Sequence, residues 1–219
     1  MKLSENTFEV LKNFSSINQS ILFKQGNKVR TVSPGKNILA QAVVTETFPV
    51  DFGVYELNQF LGLVSLFEDG EFDFKDSHVV ISEGSTSSTY TYSDPVNIKA
   101  PPDKNIELPS VEVNFTMDKE DMRKVLNGAN QLQLPEVVVR GDGEKITLVA
   151  TDVKNSTSNE FRRVVGTTDA NFQFVFKTEN FKFISDNYDV KISAKGIANF
   201  TGSKVEYWVA TESSSKYGE

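Results

Sequence analysis

The sequence predicts an α+β fold made of two similar halves, each with antiparallel strands and two helices. Most of the chain consists of short alternating segments rich in Phe, Thr, Ser and Val, a composition typical of strands. Four segments instead carry apolar residues at helical spacing. The order helix, strands, helix, strands occurs twice along the 219 residues, on either side of a proline-rich stretch. At about 110 residues, each half is long enough for a core of its own.

Apolar periodicity and capping residues predict the four helices. In chain order these are Ser4–Phe14, Tyr55–Phe67, Asp118–Gln131 and Thr178–Ser185. Ser4 and Asp118 are suitable N-caps, since a short polar side chain there can bond the free amides of the first turn. We expect these residues to face inward: Phe8 and Leu11 in the first helix, Met122, Val125, Leu126 and Ala129 in the third, and Phe181 and Ile184 in the fourth.

The second helix has an unusual polar face. Leu57, Phe60, Leu61 and Val64 follow the i, i+3, i+4, i+7 rule and define a wide apolar face. The remaining strip consists of Asn58, Gly62 and Ser65, which are small and uncharged. A solvated helix face usually carries charges. The strip is therefore compatible with an ordinary buried helix, or with a helix that packs on a sheet by its apolar face and directs its polar face toward something close.

The predicted strands are separated by turn sequences. In the first half they are Ser20–Lys24, Lys28–Ser33, Ile38–Val44, Glu71–Lys75, Val79–Glu83 and Thr86–Tyr92. In the second half they are Glu112–Thr116, Glu136–Gly141, Lys145–Ala150, Glu160–Val165, Phe172–Phe176, Tyr188–Ala194, Ile197–Thr201 and Val205–Thr211. Gly, Asn, Asp and Pro lie between them, as in Ser33-Pro34-Gly35-Lys36 and Gly141-Asp142-Gly143-Glu144.

A proline-rich stretch joins the two halves. Ser93–Pro109 contains four prolines and little periodicity, which indicates an extended, semi-rigid linker. The expected domains are therefore residues 1–108, including the linker 93–108, and residues 109–219.

Composition and charge restrict the possible classes of function. The chain has no cysteine, which excludes disulfides, thiolate metal sites and a cysteine nucleophile. No apolar run approaches the roughly 20 residues of a membrane span, and we expect a cytosolic protein without a membrane partner. The net charge of −7 argues against tight binding of nucleic acid. That argument is weaker for a protein that encloses DNA loosely, because only its inward face needs positive potential.

The sequence offers no convincing catalytic or metal site. Its one histidine, His78, falls in a predicted turn with no obvious nucleophile beside it. Asp118, Glu120 and Asp121 point to different sides of one helix, where acids favour the helix dipole. No G-x-x-x-x-G-K-[ST] loop is present to bind ATP. We therefore expect a non-enzyme with neither metal nor cofactor.

A motif in the second helix points to a family. Tyr55–Phe67 contains the pattern Y-[DE]-L-N-x-F-L-G-x-x-S-L, which resembles the signature helix of the DNA polymerase sliding clamps of T-even-like bacteriophages. Met1-Lys2-Leu3-Ser4 followed by Leu11-Lys12-Asn13-Phe14 is similar to the same clamps, as is Trp208-Val209-Ala210. The resemblance extends with gaps over nearly the whole chain. It implies a DNA clamp fold, in which two helices of each half-domain line a central hole.

The resemblance also assigns a role to exposed basic residues, which charge alone would leave as an ordinary solvated face. The clamp would encircle duplex DNA without reading sequence, tether the phage replicative polymerase and so confer processivity. The residues expected to face DNA are Lys12, Lys119, Arg123, Lys124, Lys177 and Lys182. An ATP-driven clamp loader and late-transcription factors are further expected partners, in the cytoplasm of an infected bacterial host.

Two strands without proline are expected at the contacts of a homotrimeric ring, although protected monomer edges are equally compatible with their sequences. The interface residues implied are Thr86, Ser88, Tyr90, Tyr92, Phe161, Arg162 and Val164. An apolar peptide of a partner would dock beside the linker, where Val96, Ile98, Ile106 and Leu108 either line a pocket or anchor the linker to the core. The alternative function is an all-β-rich structural or adhesion protein of a virion, which the helices disfavour.

Overall fold

The computed structural model describes residues 1–218 and has an α+β architecture. The chain divides into two compact units, Met1–Lys104 and Asn105–Glu219. Each unit combines antiparallel strand pairing with α-helix, as the sequence predicts, but the second unit has one α-helix where two are predicted.

The first unit contains two helices and seven strands among the described residues. They are α1 (Glu5–Ile17), β1 (Ile21–Phe23), β2 (Gly26–Val32), β3 (Ile38–Phe48), β4 (Phe52–Val54), α2 (Leu57–Val64), β5 (Glu71–Phe74), β6 (His78–Glu83) and β7 (Thr86–Thr91). Strand β1 pairs with β4, β2 pairs with β3, and β5, β6 and β7 form a three-stranded sheet with β7 at its edge.

The second unit contains one α-helix and nine strands in its described part. They are β8 (Val113–Met117), α3 (Lys119–Leu132), β9 (Glu136–Asp142), β10 (Lys145–Thr151), β11 (Phe161–Thr167), β12 (Asn171–Lys177), β13 (Tyr188–Ser193), β14 (Ile197–Thr201), β15 (Glu206–Ala210) and β16 (Lys216–Tyr217). One sheet has the order β11-β10-β9-β12-β16, and β8, β13, β14 and β15 pair in a second.

The start of α1 is fixed by its cap and by a buried carboxylate. Ser4 is the N-cap, and its hydroxyl accepts a hydrogen bond from the amide of Thr7 at 3.3 Å. Glu46 on β3 accepts hydrogen bonds from the Ser4 amide and the Thr7 hydroxyl. Burial alone would raise the pKa of the Glu46 carboxyl, but these hydrogen bonds to its charged form outweigh burial and lower the pKa. Glu46 therefore stays ionised and holds α1 against β3.

The lengths of α1 and α2 differ from the prediction. Helix α1 continues to Ile17, whose buried side chain extends the inward stripe of Val10 and Phe14. The hydroxyls of Ser15 and Ser16 bond back to carbonyls of the preceding turn and so do not compete with the helix for its amides. Helix α2 is shorter than the predicted segment and begins only at Leu57, whose amide donates to the carbonyl of Gln19 at 2.7 Å. Tyr55 and Leu66 therefore lie outside the helix and are exposed.

Two short strands are not predicted by the sequence pattern. Strand β4 follows β3 after a three-residue break, and its residues are buried on both faces, so they show no alternation. Strand β16 has only two residues, which pair with Phe172 and Gln173 of β12. Both owe their conformation to the strand beside them and not to local periodicity.

The predicted fourth helix is wrong. Thr178–Asn180 forms only a single 3₁₀ turn, and the next residues up to β13 are not helical. The carbonyl of Ile184 accepts a hydrogen bond from the Tyr188 hydroxyl at 2.6 Å, and its amide donates to the Tyr207 hydroxyl at 3.0 Å. These side chains satisfy the backbone groups that a helix would have used.

Aromatic packing supports the same extended segment. Phe183 stacks on Tyr207 with ring centroids 4.3 Å apart, and Phe181 packs edge-on against Phe176 at 5.8 Å. An alternation that places both Phe181 and Phe183 among aromatic rings is incompatible with helical spacing, in which the two would point to different sides. Burial raises the pKa of the Tyr188 hydroxyl far above its ordinary value, so it remains a hydrogen-bond donor.

Replacing Tyr207 with Phe should destabilise the second unit. The substitution keeps the ring and removes the oxygen that accepts from the Ile184 amide, leaving a buried donor unsatisfied. We expect a loss of about 1–3 kcal/mol in the free energy of unfolding, measured with denaturant. Tyr55→Phe, which removes an exposed hydroxyl, is the control and should change it by less than about 0.5 kcal/mol. Equal stability of both variants would contradict this role of Tyr207.

Candidate nucleic-acid interface and sheet edges

In the second unit, the exposed face of helix α3 carries three basic residues. Lys119, Arg123 and Lys124 are all exposed, opposite the buried stripe of Met122 and Val125. Arg123 forms an ion pair with Glu120, with Nη2 and Oε2 2.8 Å apart. The hydrogen bond from Arg123 lowers the pKa of the Glu120 carboxyl below its ordinary value. No ion pair of Lys119 or Lys124 is found among the described residues, so these two amines offer the less compensated charge.

The start of α3 differs in detail from the prediction. Asp118 occupies the N-cap position, but its side chain makes no capping hydrogen bond. The amide of Lys119 donates instead to Oδ1 of Asn187, at 2.9 Å. The cap is therefore supplied by a residue distant in sequence, which local pattern does not reveal.

The other predicted DNA-facing residues lie on different elements. Lys12 is exposed on α1, and Glu5 and Glu9 are exposed on the same helix. Lys177 ends β12 and Lys182 follows the 3₁₀ turn; both are exposed. Because the fourth helix is absent, these two lysines are presented by a strand end and an extended segment.

The neutral strip of α2 is exposed, as one of the two sequence interpretations requires. Asn58, Gly62 and Ser65 are accessible, whereas Leu57 and Phe60 are buried. A Cβ added at Gly62 would meet no atom within 4 Å. Packing within the unit therefore does not explain the small residues of this strip.

For strand β7, the pairing with β6 determines which backbone amides and carbonyls face the open edge of the sheet. It is joined to β6 by the two-residue turn Gly84-Ser85, with Gly84 at φ 57°. In such a hairpin the closing pair, Glu83 and Thr86, is hydrogen-bonded, and hydrogen-bonded pairs alternate with non-bonded ones along the ladder. The same alternation continues beyond β7 to the bond from the Tyr92 amide to the Ser77 carbonyl, 3.0 Å.

It follows that alternate residues of β7 point their amides away from β6. Thr89 is opposite Val80 in a non-bonded pair, so its amide and carbonyl face the open edge. The predicted interface residues Thr86, Ser88 and Tyr90 instead direct their backbone groups toward β6. Within this second set, Tyr90 packs on Phe60 with ring centroids 5.0 Å apart, whereas Thr86 is exposed. Tyr92, which follows β7, packs on Phe52 at 5.1 Å.

Strand β11 forms the edge of the five-stranded sheet. Phe161 packs over α3, where a Cβ at Gly128 would lie only 2.4 Å from its ring. Arg162 forms an ion pair with Glu160, and Nε of Arg163 lies 2.6 Å from Oδ1 of Asp121 on α3. Val164 is 54% exposed. Of the three predicted contact residues on this strand, Val164 therefore offers the most accessible apolar surface.

The four residues predicted to bind a partner peptide belong to two different units of the chain. Val96 lies in a 3₁₀ turn, Pro95–Asn97, and is 83% exposed. Ile98 is buried, and its side chain would lie 3.2 Å from a Cβ at Gly53, so it anchors the linker to the first unit. Ile106 and Leu108 belong to the second unit and are half-buried. The role of these four residues in peptide binding stays a prediction.

The described residues contain no cluster of His, Cys, Asp or Glu suited to a metal ion. His78 is partly buried at the start of β6, and its Nδ1 lies 3.2 Å from the hydroxyl of its neighbour Ser77. Among residues 1–218, no helix has both the length and the apolar character needed to cross a bilayer.

Comparison with known proteins decides the family. Two protein-family models match the sequence. The family model described as DNA polymerase processivity factor matches residues 2–98, and the one described as gp45 sliding clamp, C terminal, matches residues 114–213. The sliding clamp of Vibrio phage KVP40 is 34% identical over 97% of this chain and 99% of its own length. This chain belongs to the sliding-clamp family. The sliding clamp of Enterobacteria phage T4 is similar as well, at 29% identity over 99% of each chain.

A solved structure supports the clamp fold independently of sequence. The PCNA of A. fulgidus, determined with the C-terminal region of FEN-1 bound, superposes with a TM-score of 0.67 at 17% identity. The match covers 95% of this chain and 96% of that one. As a member of this family, the chain is a processivity factor for a DNA polymerase and not an enzyme. The alternative of a virion structural or adhesion protein is not favoured by these comparisons.

Proposed function

We propose that this sliding clamp closes into a homotrimeric ring around duplex DNA and tethers the phage replicative polymerase. Retention is topological, because a closed ring cannot leave the duplex sideways. The observation that best supports contact with DNA is the exposed face of α3, where Lys119, Arg123 and Lys124 are all accessible. These cations meet phosphates, and such contacts position without reading bases.

Assembly uses the two edge strands. Strand β7 of one subunit pairs with β11 of the next, so that each sheet continues across the contact. The open amide and carbonyl of Thr89 support this pairing on the first strand, and Val164 supplies exposed apolar surface on the second.

Partner proteins dock beside the linker. The polymerase engages the apolar side chains of Val96, Ile106 and Leu108 in this segment, with Ile98 as the buried anchor of the linker, and late-transcription factors use the same segment. An ATP-driven loader opens the ring. Replication in the cytoplasm of the infected host is the setting that fits these partners.

Reversing the charge of Arg123 and Lys124 tests the contact with DNA. The double variant Arg123→Glu, Lys124→Glu should keep its fold and oligomeric state, because both side chains are exposed and the ion pair of Arg123 with Glu120 that it removes is a surface pair of small energetic value. Each lost phosphate contact lowers affinity for duplex DNA and reduces its salt dependence. We expect processive synthesis by the cognate polymerase to fall by at least about tenfold, since the loss of two contacts of roughly 0.5–1 kcal/mol in a single subunit already amounts to that factor.

The matched control carries the same change of charge in turns of the same unit, as Lys154→Glu with Lys195→Glu. It should synthesise product of wild-type length. If both double variants behave like the wild type across a salt series, the α3 face does not contact DNA.

A further inference from the structure

A groove with basic walls lies between the linker and the first two strands of the first unit. It encloses about 310 Å³. Leu22, Ala100 and Pro101 supply apolar surface, and Lys24, Lys28 and Arg30 supply positive charge, with Asp103 as the one acid in the lining. No sequence motif marks these cations. Their signal is the i, i+2 spacing of Lys28 and Arg30, which places them on one face of a strand.

Neither Lys28 nor Arg30 forms an ion pair with a carboxylate in the part of the chain that the structure describes. Lys24 pairs with Asp51 at 3.0 Å, and Asp103 adds a weaker attraction to the same amine. The guanidinium of Arg30 donates to backbone carbonyls, from Nη1 to Pro102 at 2.6 Å and from Nη2 to Lys104 at 3.2 Å. In residues 1–218 Lys28 forms no ion pair. On a chain with net charge −7, these two cations beside apolar surface form a local site for an anionic group.

The backbone along the same groove is also open. Strand β2 pairs only with β3 within the first unit. The amide of Ser33 donates to the carbonyl of Ile38, 2.9 Å, which fixes the alternation of hydrogen-bonded pairs along this ladder. Lys28 and Arg30 fall in non-bonded pairs, opposite Val43 and Gln41. Their amides and carbonyls therefore point away from β3, toward the edge that the groove borders.

We propose that this groove binds an extended acidic peptide segment of a partner protein, which adds a strand to the free edge of β2. Main-chain bonds to Lys28 and Arg30 provide the pairing. Carboxylates of the peptide meet these two cations, and its apolar residues cover Leu22, Ala100 and Pro101. This inference rests on the proposal that partners dock on the clamp through peptides, and it adds a site separate from the four apolar linker residues.

A peptide explains the lining better than single-stranded nucleic acid does. Binding of single strands relies on aromatic side chains on which bases stack. No aromatic residue lines this groove. Three aliphatic surfaces beside an unpaired strand edge instead match the alternating side chains of an extended peptide.

The site can be tested with synthetic peptides and the full chain. The probe is a fluorescein-labelled hexapeptide in which Asp and Leu alternate. Two control peptides are used: the Asn twin has Asn in place of Asp, and the N-methylated twin carries N-methyl groups on alternate amides. Anisotropy titrations at low salt should show the Asp peptide binding at least about tenfold more tightly than the Asn twin, with the difference shrinking as salt rises. The N-methylated twin should also lose at least about tenfold, because it cannot complete the strand pairing.

Protein variants locate the binding. Lys28→Glu should weaken binding of the Asp peptide at least tenfold, whereas Lys154→Glu, with the same change of charge in a turn of the other unit, should not. Equal binding of the Asp and Asn peptides, equal behaviour of the two variants, or tighter binding of a labelled oligothymidine at the same groove would each overturn the proposal. Sedimentation of Lys28→Glu reports ring assembly separately, so a failure of the ring is not mistaken for a failure of the groove.

Discussion

Thr89→Pro should convert the assembled protein into folded monomers. The amide of Thr89 points away from β6, so proline removes no hydrogen bond from the hairpin that holds β7 in place. It removes a donor from the open edge, and its ring obstructs an approaching strand. An unmade backbone bond costs about 2 kcal/mol at each contact, which is roughly thirtyfold in affinity. Sedimentation velocity at micromolar concentration should therefore show a monomer with an unchanged circular dichroism spectrum.

Two controls separate assembly from folding. Thr89→Val keeps the amide and should remain assembled. Ser88→Pro removes a donor that points toward β6, so it should lower thermal stability, which Thr89→Pro should not. If Thr89→Pro sediments like the wild type, β7 is not the subunit contact and the ring must close through other surfaces.

This distinction between neighbouring residues shows what the sequence alone could predict. The alternating run Thr86–Tyr92 is sufficient to predict a strand, and the structure places it at a sheet edge. Which amides are free depends on the register with β6, and that register is set by the turn at Gly84 and by partners about ten residues away. The predicted contact set therefore includes Ser88 and Tyr90, whose backbone groups face β6, and omits Thr89.

Helices show the same division between local and distant causes. The apolar stripe of α3 and the cap of α1 are local patterns, and both helices form close to where the sequence places them. The segment after Lys177 has an equally plausible helical pattern. It stays extended because Tyr188 and Tyr207, from strands that follow it, take over the backbone bonds of Ile184. Tertiary hydrogen bonds override a weak local preference here.

The candidate site residues also differ in whether local sequence or the tertiary fold reveals them. Exposure of the basic residues on α3 follows from helical periodicity alone. The groove beside β2 does not, because its lining combines strand residues with Ala100, Pro101 and Asp103 of the linker, which lie about seventy residues further along the chain. Only the fold brings these segments together. Charge spacing in one strand is a weak signal unless its free edge is known.

The largest expected contrast is between closed and open DNA. An acidic protein of net charge −7 has little long-range attraction for duplex DNA, so direct binding to short linear duplexes should be weak. A clamp loaded onto a nicked circle can leave only when a subunit contact opens. On linear DNA it can slide off an end, held back only by weak, salt-screened phosphate contacts.

Lifetimes on the two substrates should therefore differ by at least about a hundredfold, which requires only about 2.7 kcal/mol of additional barrier for opening a contact. The measurement is gel filtration of labelled clamp loaded onto a nicked plasmid, with half of the sample cut once by a restriction enzyme. Cutting should release the clamp, and a protein block bound at each end should restore retention. Raising the salt should accelerate loss from linear DNA more than loss from the circle, because phosphate contacts are screened while a backbone-paired contact is much less so. Equal lifetimes on cut and uncut plasmid would reject the topological mechanism, since retention would then depend only on direct contacts between the clamp and DNA.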